Sequence, residues 1–219
     1  MTGTHAPPRA GSAAAAGSPA QRARRRRILD TTVALAAQGG FEAVQMRAVA
    51  ERAEVALGTL YRYFPSKIHL LVAVLAAELE AGAEAVTRRP VPGDTAAERV
   101  TSVLDKATES LQREPALAEA MIRAFMFADA TAAEESRMVA LHVGAMLTRA
   151  MRGGGHPDGA AVSEADSNEK DEAGLEQERA IVKVLSDVWL SSLVQWVTGR
   201  ASAADVTSSL QTAVRLVLR

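Results

Sequence analysis

The stretch Leu57-Gly58-Thr59-Leu60-Tyr61-Arg62-Tyr63-Phe64-Pro65-Ser66-Lys67 gathers both tyrosines of the chain around one arginine, with a lysine just beyond. These residue types suit contact with an anionic polymer. Phenolic hydroxyls donate hydrogen bonds to phosphate oxygens, and Arg62 and Lys67 add positive charge; such contacts orient a duplex without reading its sequence. Thr59 offers a hydroxyl and a methyl, which can meet a base edge or a thymine methyl. Gly58 has no side chain, so its backbone can come close to a base or a phosphate. Reaction chemistry has no comparable candidate. His5, His69, His142 and His156 are scattered, and neither a HExxH pair, a P-loop nor a GxGxxG context occurs. The chain has no cysteine, which excludes a disulfide framework and a thiolate metal site. No catalytic residue, metal or cofactor is therefore expected.

Charge is unevenly placed. Residues 1–67 hold ten basic residues against four acidic ones, a net of +6, so the remainder carries −7 of the overall −1. A basic first third on an acidic body suits a polyanion partner. Arg24, Arg25, Arg26 and Arg27 are expected at the start of a helix, the end that disfavours cations. A DNA backbone or an A·T-rich minor groove would supply the compensating anion. No apolar run approaches the roughly 20 residues that span a bilayer, and the N-terminus lacks a secretory apolar region. A cytoplasmic protein with no membrane partner is expected.

The elements that must position these residues read as helices throughout. Residues 1–20 are Ala, Gly, Pro and Ser with too little apolar surface to order, so a disordered tail is expected. A helix over 21–38 has Ile28, Thr32 and Leu35 on one stripe and ends at Gly39-Gly40. Short helices over 46–53 and 57–63, joined by a tight turn, bury Val49, Ala53, Val55 and Leu60 and form a helix-turn-helix. In that motif the second helix lies in the major groove, and here its N-terminal residues are Ala56, Leu57, Gly58 and Thr59. Gln45 and Arg47, at the start of the preceding helix, are placed to reach the backbone or an outer base. A longer helix opens at Pro65-Ser66 and runs to about residue 86. The spacing places a head over 21–80 and a larger domain over 81–219, with further helices at 95–112, 115–127, 132–151, 175–198 and 203–218. Residues 153–174 read as a mobile acidic loop. The fold class expected is all-α.

In the second domain the notable residues are soft and apolar. Leu104, Met121, Phe125, Met126, Met138, Leu141, Met146, Trp189, Leu193 and Trp196 fall on predicted helices, Trp189, Leu193 and Trp196 in an i, i+4, i+7 stripe. Methionine and aromatic side chains are deformable liners for a large apolar ligand, and equally ordinary core. Val184, Val188, Val206, Leu210, Val214 and Val217 make stripes on the last two helices. Two such helices from each of two subunits would form a four-helix dimer interface.

The residues "GFEAVQMRAVAERAEVALGTLYRYFPSKIHLL" (40–71) resemble the DNA-binding domain of the TetR family of transcriptional regulators. The specific part is Gly40-Phe41, Ala48-Val49-Ala50 and Gly58 through Lys67. Ala56 departs from it, since the family often has a serine that caps the recognition helix; that loss is worth about 1 kcal/mol. "RRRRILDTTVALAAQGGFEAVQMRAVAERAEVALGTLYRYFPSKIHLL", "EAMIRAFMFADATAAEE" and "VLSDVWLSSLVQWVTGRASAADV" are similar to KstR-type repressors of sterol catabolism in actinobacteria. The resemblance implies a homodimer on a palindromic DNA operator, and a hydrophobic effector inside the second domain, a steroid acyl-CoA thioester in the KstR type. Two rivals differ in what they require. A TetR-like efflux regulator would place carboxylates such as Asp129 or Asp187 in its pocket to meet bulky cations. A ligand-independent architectural DNA binder would have a solid second domain.

Overall fold

Ser18 starts the first helix. Its hydroxyl accepts the Gln21 amide hydrogen at 3.3 Å, and the Gln21 side chain returns a bond to the Ser18 amide at 2.8 Å. This capping box, followed by Pro19 at the first helical position, sets α1 over Pro19–Ala43. The computed structural model describes residues 18–153 and 167–218. Among them are nine α-helices and no strand: α1, α2 (Met46–Arg52), α3 (Leu57–Tyr63), α4 (Lys67–Arg88), α5 (Ala96–Arg113), α6 (Pro115–Met126), α7 (Ala133–Arg152), α8 (Ser167–Val197) and α9 (Ala203–Val217). A single 3-10 turn, Ala130–Ala132, joins α6 to α7.

Several sequence expectations shift. The helix start lies at Pro19, so Arg24–Arg27 sit beyond the first turn, where the helix dipole's penalty on cations has faded. The Gly39-Gly40 pair kinks α1 without separating it from the next turn. Gly40 has φ +64° and ψ −157°, a backbone state open to glycine. The expected tail (1–20) lies outside the described residues except for Ser18, Pro19 and Ala20. Of the expected acidic loop, 154–166 also lies outside them, whereas Ser167–Gly174 belongs to α8 rather than to a loop. Contrary to the expectation of no apolar run that long, the stretch Glu172–Val197 passes as a membrane span by length and hydropathy. Leu185, Trp189 and Leu193 on that stretch are buried in the protein, and Arg179, Lys183 and Asp187 interrupt it.

The head is α1, α2, α3 and the first turns of α4. Ile28, Val44, Val49, Leu60 and Phe64 close its centre, none more than 2% exposed. α2 and α3 have seven residues each and no side-chain cap, so their stability comes from this packing. α4 is capped by Ser66, whose hydroxyl accepts from the Ile68 and His69 amides. It runs past the expected boundary at residue 80, burying Leu70 through Ala76 and Leu79. In the body α4 packs against α6 and α7, α5 against α7 and α9, and α8 against α9. α1 reaches across to pack on α6, so head and body share a seam rather than a linker.

Candidate nucleic-acid interface and ligand cavity

α2 is capped at Ala53, whose amide donates to the Val49 carbonyl; the Glu54 amide donates to the Glu51 carbonyl, and the chain turns through Glu54 at φ 54°. The Val55 amide then returns to the Ala50 carbonyl at 3.0 Å. That turn aims α3 across the end of α2. Leu60 enters the core, which leaves the faces on either side outward: Leu57 is 39% and Tyr61 46% exposed. Ala56, Gly58 and Arg62 are exposed and Thr59 is half-buried. A Cβ added at Gly58 would meet nothing within 4 Å. No packing inside the protein requires glycine there; close approach by an external backbone or base would.

The flanking cations divide. Arg25, Arg26, Arg47 and Gln45 are exposed, and the pairs Arg26–Asp30 (3.8 Å) and Arg47–Glu51 (3.6 Å) are surface pairs of small energetic weight. Arg24 is half-buried. Arg27 Nε donates to the Ala53 carbonyl at 3.0 Å, tying α1 to the end of α2, and the Arg25 guanidinium lies 5.5 Å from the Phe64 ring centre. Lys67 departs from its expected role. Its Nζ donates to the Phe41 carbonyl at 3.0 Å and rests 3.9 Å from that ring's centre, so its charge is turned inward. Tyr63 is half-buried beside Phe64, ring centres 6.4 Å apart, and Tyr61 is the more exposed of the two tyrosines.

The body holds a cavity of about 480 Å³ bounded by α4, α5, α6, α7 and α8 and partly open to the surface beside exposed α8 side chains, within the size range of small-molecule sites. Its wall is apolar: Leu75, Leu79, Leu111, Ile122, Phe125, Val139, Val143, Val182, Leu190 and Leu193, with Trp189. Polar groups are few. Thr148 and Ser186 face in, and Arg179, Lys183 and Asp187 from α8 complete the lining. The Trp189 indole donates to Thr108 Oγ1 at 3.0 Å, which fixes the ring on the wall.

Of the ten residues expected around an effector, Phe125, Trp189 and Leu193 line this cavity. Leu104, Met121 and Met146 do not; they are core side chains no more than 2% exposed. Met126 and Leu141 face outward, 51% and 49% exposed. Met138 and Trp196 are half-buried and off the wall. The wall residues that went unnoticed are mostly aliphatic. Leu75 and Leu79, four apart on α4, carried the periodic signal but looked like ordinary core. Gly144, mid-helix and on the wall, was a further sign of space.

The expected dimer stripe is corrected on α9. Val206, Leu210 and Val214 are 1% exposed, packed within this chain where α9 meets α5 and α8. Val184 is 45% exposed, and Val188 and Val217 are half-buried. The outward side of α8 continues through Ser191 and Gln195.

Residues 28–74 match the family of bacterial regulatory proteins named for tetR, and residues 93–163 and 159–217 match the tetracyclin repressor-like C-terminal domain. The chain belongs to the TetR family of transcriptional regulators. It is 48% identical over 202 residues to the HTH-type transcriptional repressor KstR of Mycolicibacterium smegmatis, covering 92% of this chain and 90% of that protein. It is 49% identical over 201 residues to KstR of Rhodococcus jostii, covering 92% and 85%. Among solved structures, a TetR transcriptional regulator from Rhodococcus sp. RHA1 superposes with a TM-score of 0.75 at 30% identity, over 91% of this chain and 97% of that one. A Thermus thermophilus FadR, solved with lauroyl-CoA, shares the fold at a TM-score of 0.65 and 20% identity, over 89% and 93%.

Proposed function

We propose that this protein is a cytoplasmic, homodimeric repressor that holds a palindromic operator through α3 and releases it when a sterol-derived acyl-CoA occupies the body cavity. The observation that carries the reading is the pairing of an outward α3 with an apolar cavity in the same chain. The likeness to KstR repressors supports the sterol assignment, and the Arg179 and Lys183 side chains are suited to a CoA phosphate. The exposed side of α8, with Val184, supports pairing of two copies there rather than through Val206, Leu210 and Val214.

The two rivals have less support. A ligand-independent binder has no use for the cavity. A receptor for bulky cations needs an unneutralised carboxylate in the pocket, whereas Asp187, at its rim, is already paired with Lys183 at 2.6 Å. Asp129 caps the 3-10 turn by accepting from the Thr131 amide and hydroxyl, and those bonds hold its carboxyl below the usual range.

Release requires the ligand to favour one head arrangement over the other. A hundredfold preference shifts the balance by about 2.7 kcal/mol. The test is a mobility shift on the DNA upstream of the protein's own coding region, with a keto-steroid acyl-CoA added to the complex. Release at micromolar ligand is expected; a complex that persists at saturation rejects the sterol assignment.

A further inference from the structure

The seam between head and body contains polar contacts that neither the DNA face nor the cavity uses. They converge on Phe41, directly after the Gly39-Gly40 kink. From α6, the Glu119 carboxylate accepts the Phe41 amide hydrogen at 3.3 Å. One turn on, Arg123 pairs with Glu119 at 3.6 Å and with Glu42 at 3.1 Å, and its guanidinium lies 4.4 Å from the Phe41 ring centre. Lys67 contributes a second cation to the same ring from α4. A Cβ at Gly40 would sit 3.2 Å from Glu119 Oε2 and 3.8 Å from the Ala116 carbonyl, so the kink is seated against α6 itself.

Any one of these pairs, half-exposed, contributes little. Their arrangement matters more. Ile122 and Phe125, which line the cavity, are on the same three turns of α6 as Glu119 and Arg123. The helix therefore has one end of its contacts on the ligand space and the other on the head's hinge. A rigid helix carries a small displacement from one to the other, because packed elements shift as units.

We propose that Glu119 and Arg123 are positioning residues: they clasp the Phe41 hinge and set the pitch of the DNA-binding head, and through α6 they make that pitch respond to the cavity. The first half stands on the seam alone; the second rests on the effector reading given above.

Amide hydrogen exchange on the intact protein separates the two. In Arg123→Met, which keeps the stem over Phe41, and in Glu119→Gln, exchange across residues 39–46 should rise about tenfold while α7 and α8 stay within twofold. Arg137→Met, which removes only the exposed pair with Glu134, should change nothing at 39–46. Unchanged protection in both clasp variants overturns the proposal. So does a uniform rise over the whole protein, because the residues would then serve stability alone. A second arm adds a keto-steroid acyl-CoA. Exchange at 39–46 should rise in the wild type and gain nothing further in Arg123→Met, although the ligand still binds. A rise of equal size in both overturns the coupling. Failure of the wild type to bind the thioester counts against the sterol reading, and the first arm still decides the clasp.

Discussion

The head and the body are both built of α-helices and treat interior space differently. In the head, Phe64, Leu60, Ile28 and Val49 fill the centre, and two seven-residue helices depend wholly on that filling. In the body, α4 and its neighbours surround a space of about 480 Å³ walled mainly by aliphatic groups and Trp189. A reader of DNA must hold one shape. A receptor must leave room, and it loses the contacts that the room would otherwise supply.

Five substitutions test that contrast, the largest effect first. Phe64→Ala should cost about 3–5 kcal/mol by denaturant unfolding and abolish operator binding. Leu190→Ala on the cavity wall, which already faces empty space, should cost less than half of that. If the two costs are equal, the contrast between filled and hollow is wrong. Next, Gly144→Leu should fill the cavity: a Cβ at Gly144 meets only Val182, at 3.9 Å. Ligand affinity measured by titration should fall at least tenfold, or about 1.4 kcal/mol, with operator affinity unchanged, giving a repressor that no longer lets go.

Gly58→Ala separates folding from reading within the head. The change should hold or raise stability, by up to about 1 kcal/mol on helix propensity, since nothing crowds the new methyl. Operator affinity by mobility shift should fall roughly tenfold. The smallest effect concerns the seam. Partial desolvation at an otherwise exposed site, and then the nearby Glu114 and Asp30 carboxylates, raise the Glu78 carboxyl above its ordinary value. A raised folded value means that the folded state binds the proton more tightly. The wild type therefore gains stability as pH falls through that value and is weakened by the charge above it. Glu78→Gln should melt higher than wild type at pH 7, and the difference should vanish below about pH 4.

How far these regions were legible in the sequence follows the same division. The bounds of α3 were readable because a tight motif leaves little choice: Leu60 and Phe64 must go inward, and Tyr61 is left outside. Lys67 misled because a cation beside an aromatic turn looks available for phosphate, and only the fold brings Phe41 under it. In the body, Met121 and Phe125 belong to one amphipathic helix, and periodicity assigns both to the inside without saying whether the inside is packed or empty. Val206, Leu210 and Val214 show the same limit. The stripe was real, but a stripe identifies a buried face and not the molecule that buries it; α5 and α8 of the same chain do so here. The start of α1 was missed for a local reason, since Ser18-Pro19 with Gln21 is a capping box embedded in a segment whose composition argues for disorder.

The indole of Trp189, held on the cavity wall by Thr108, has a spectroscopic consequence. A guest filling that space would displace solvent or void from one side of an excited-state dipole whose other side is anchored. Its emission wavelength should therefore move as occupancy changes, and with Trp196 the only other tryptophan in the chain, the unlabelled protein carries its own optical gauge of the chamber.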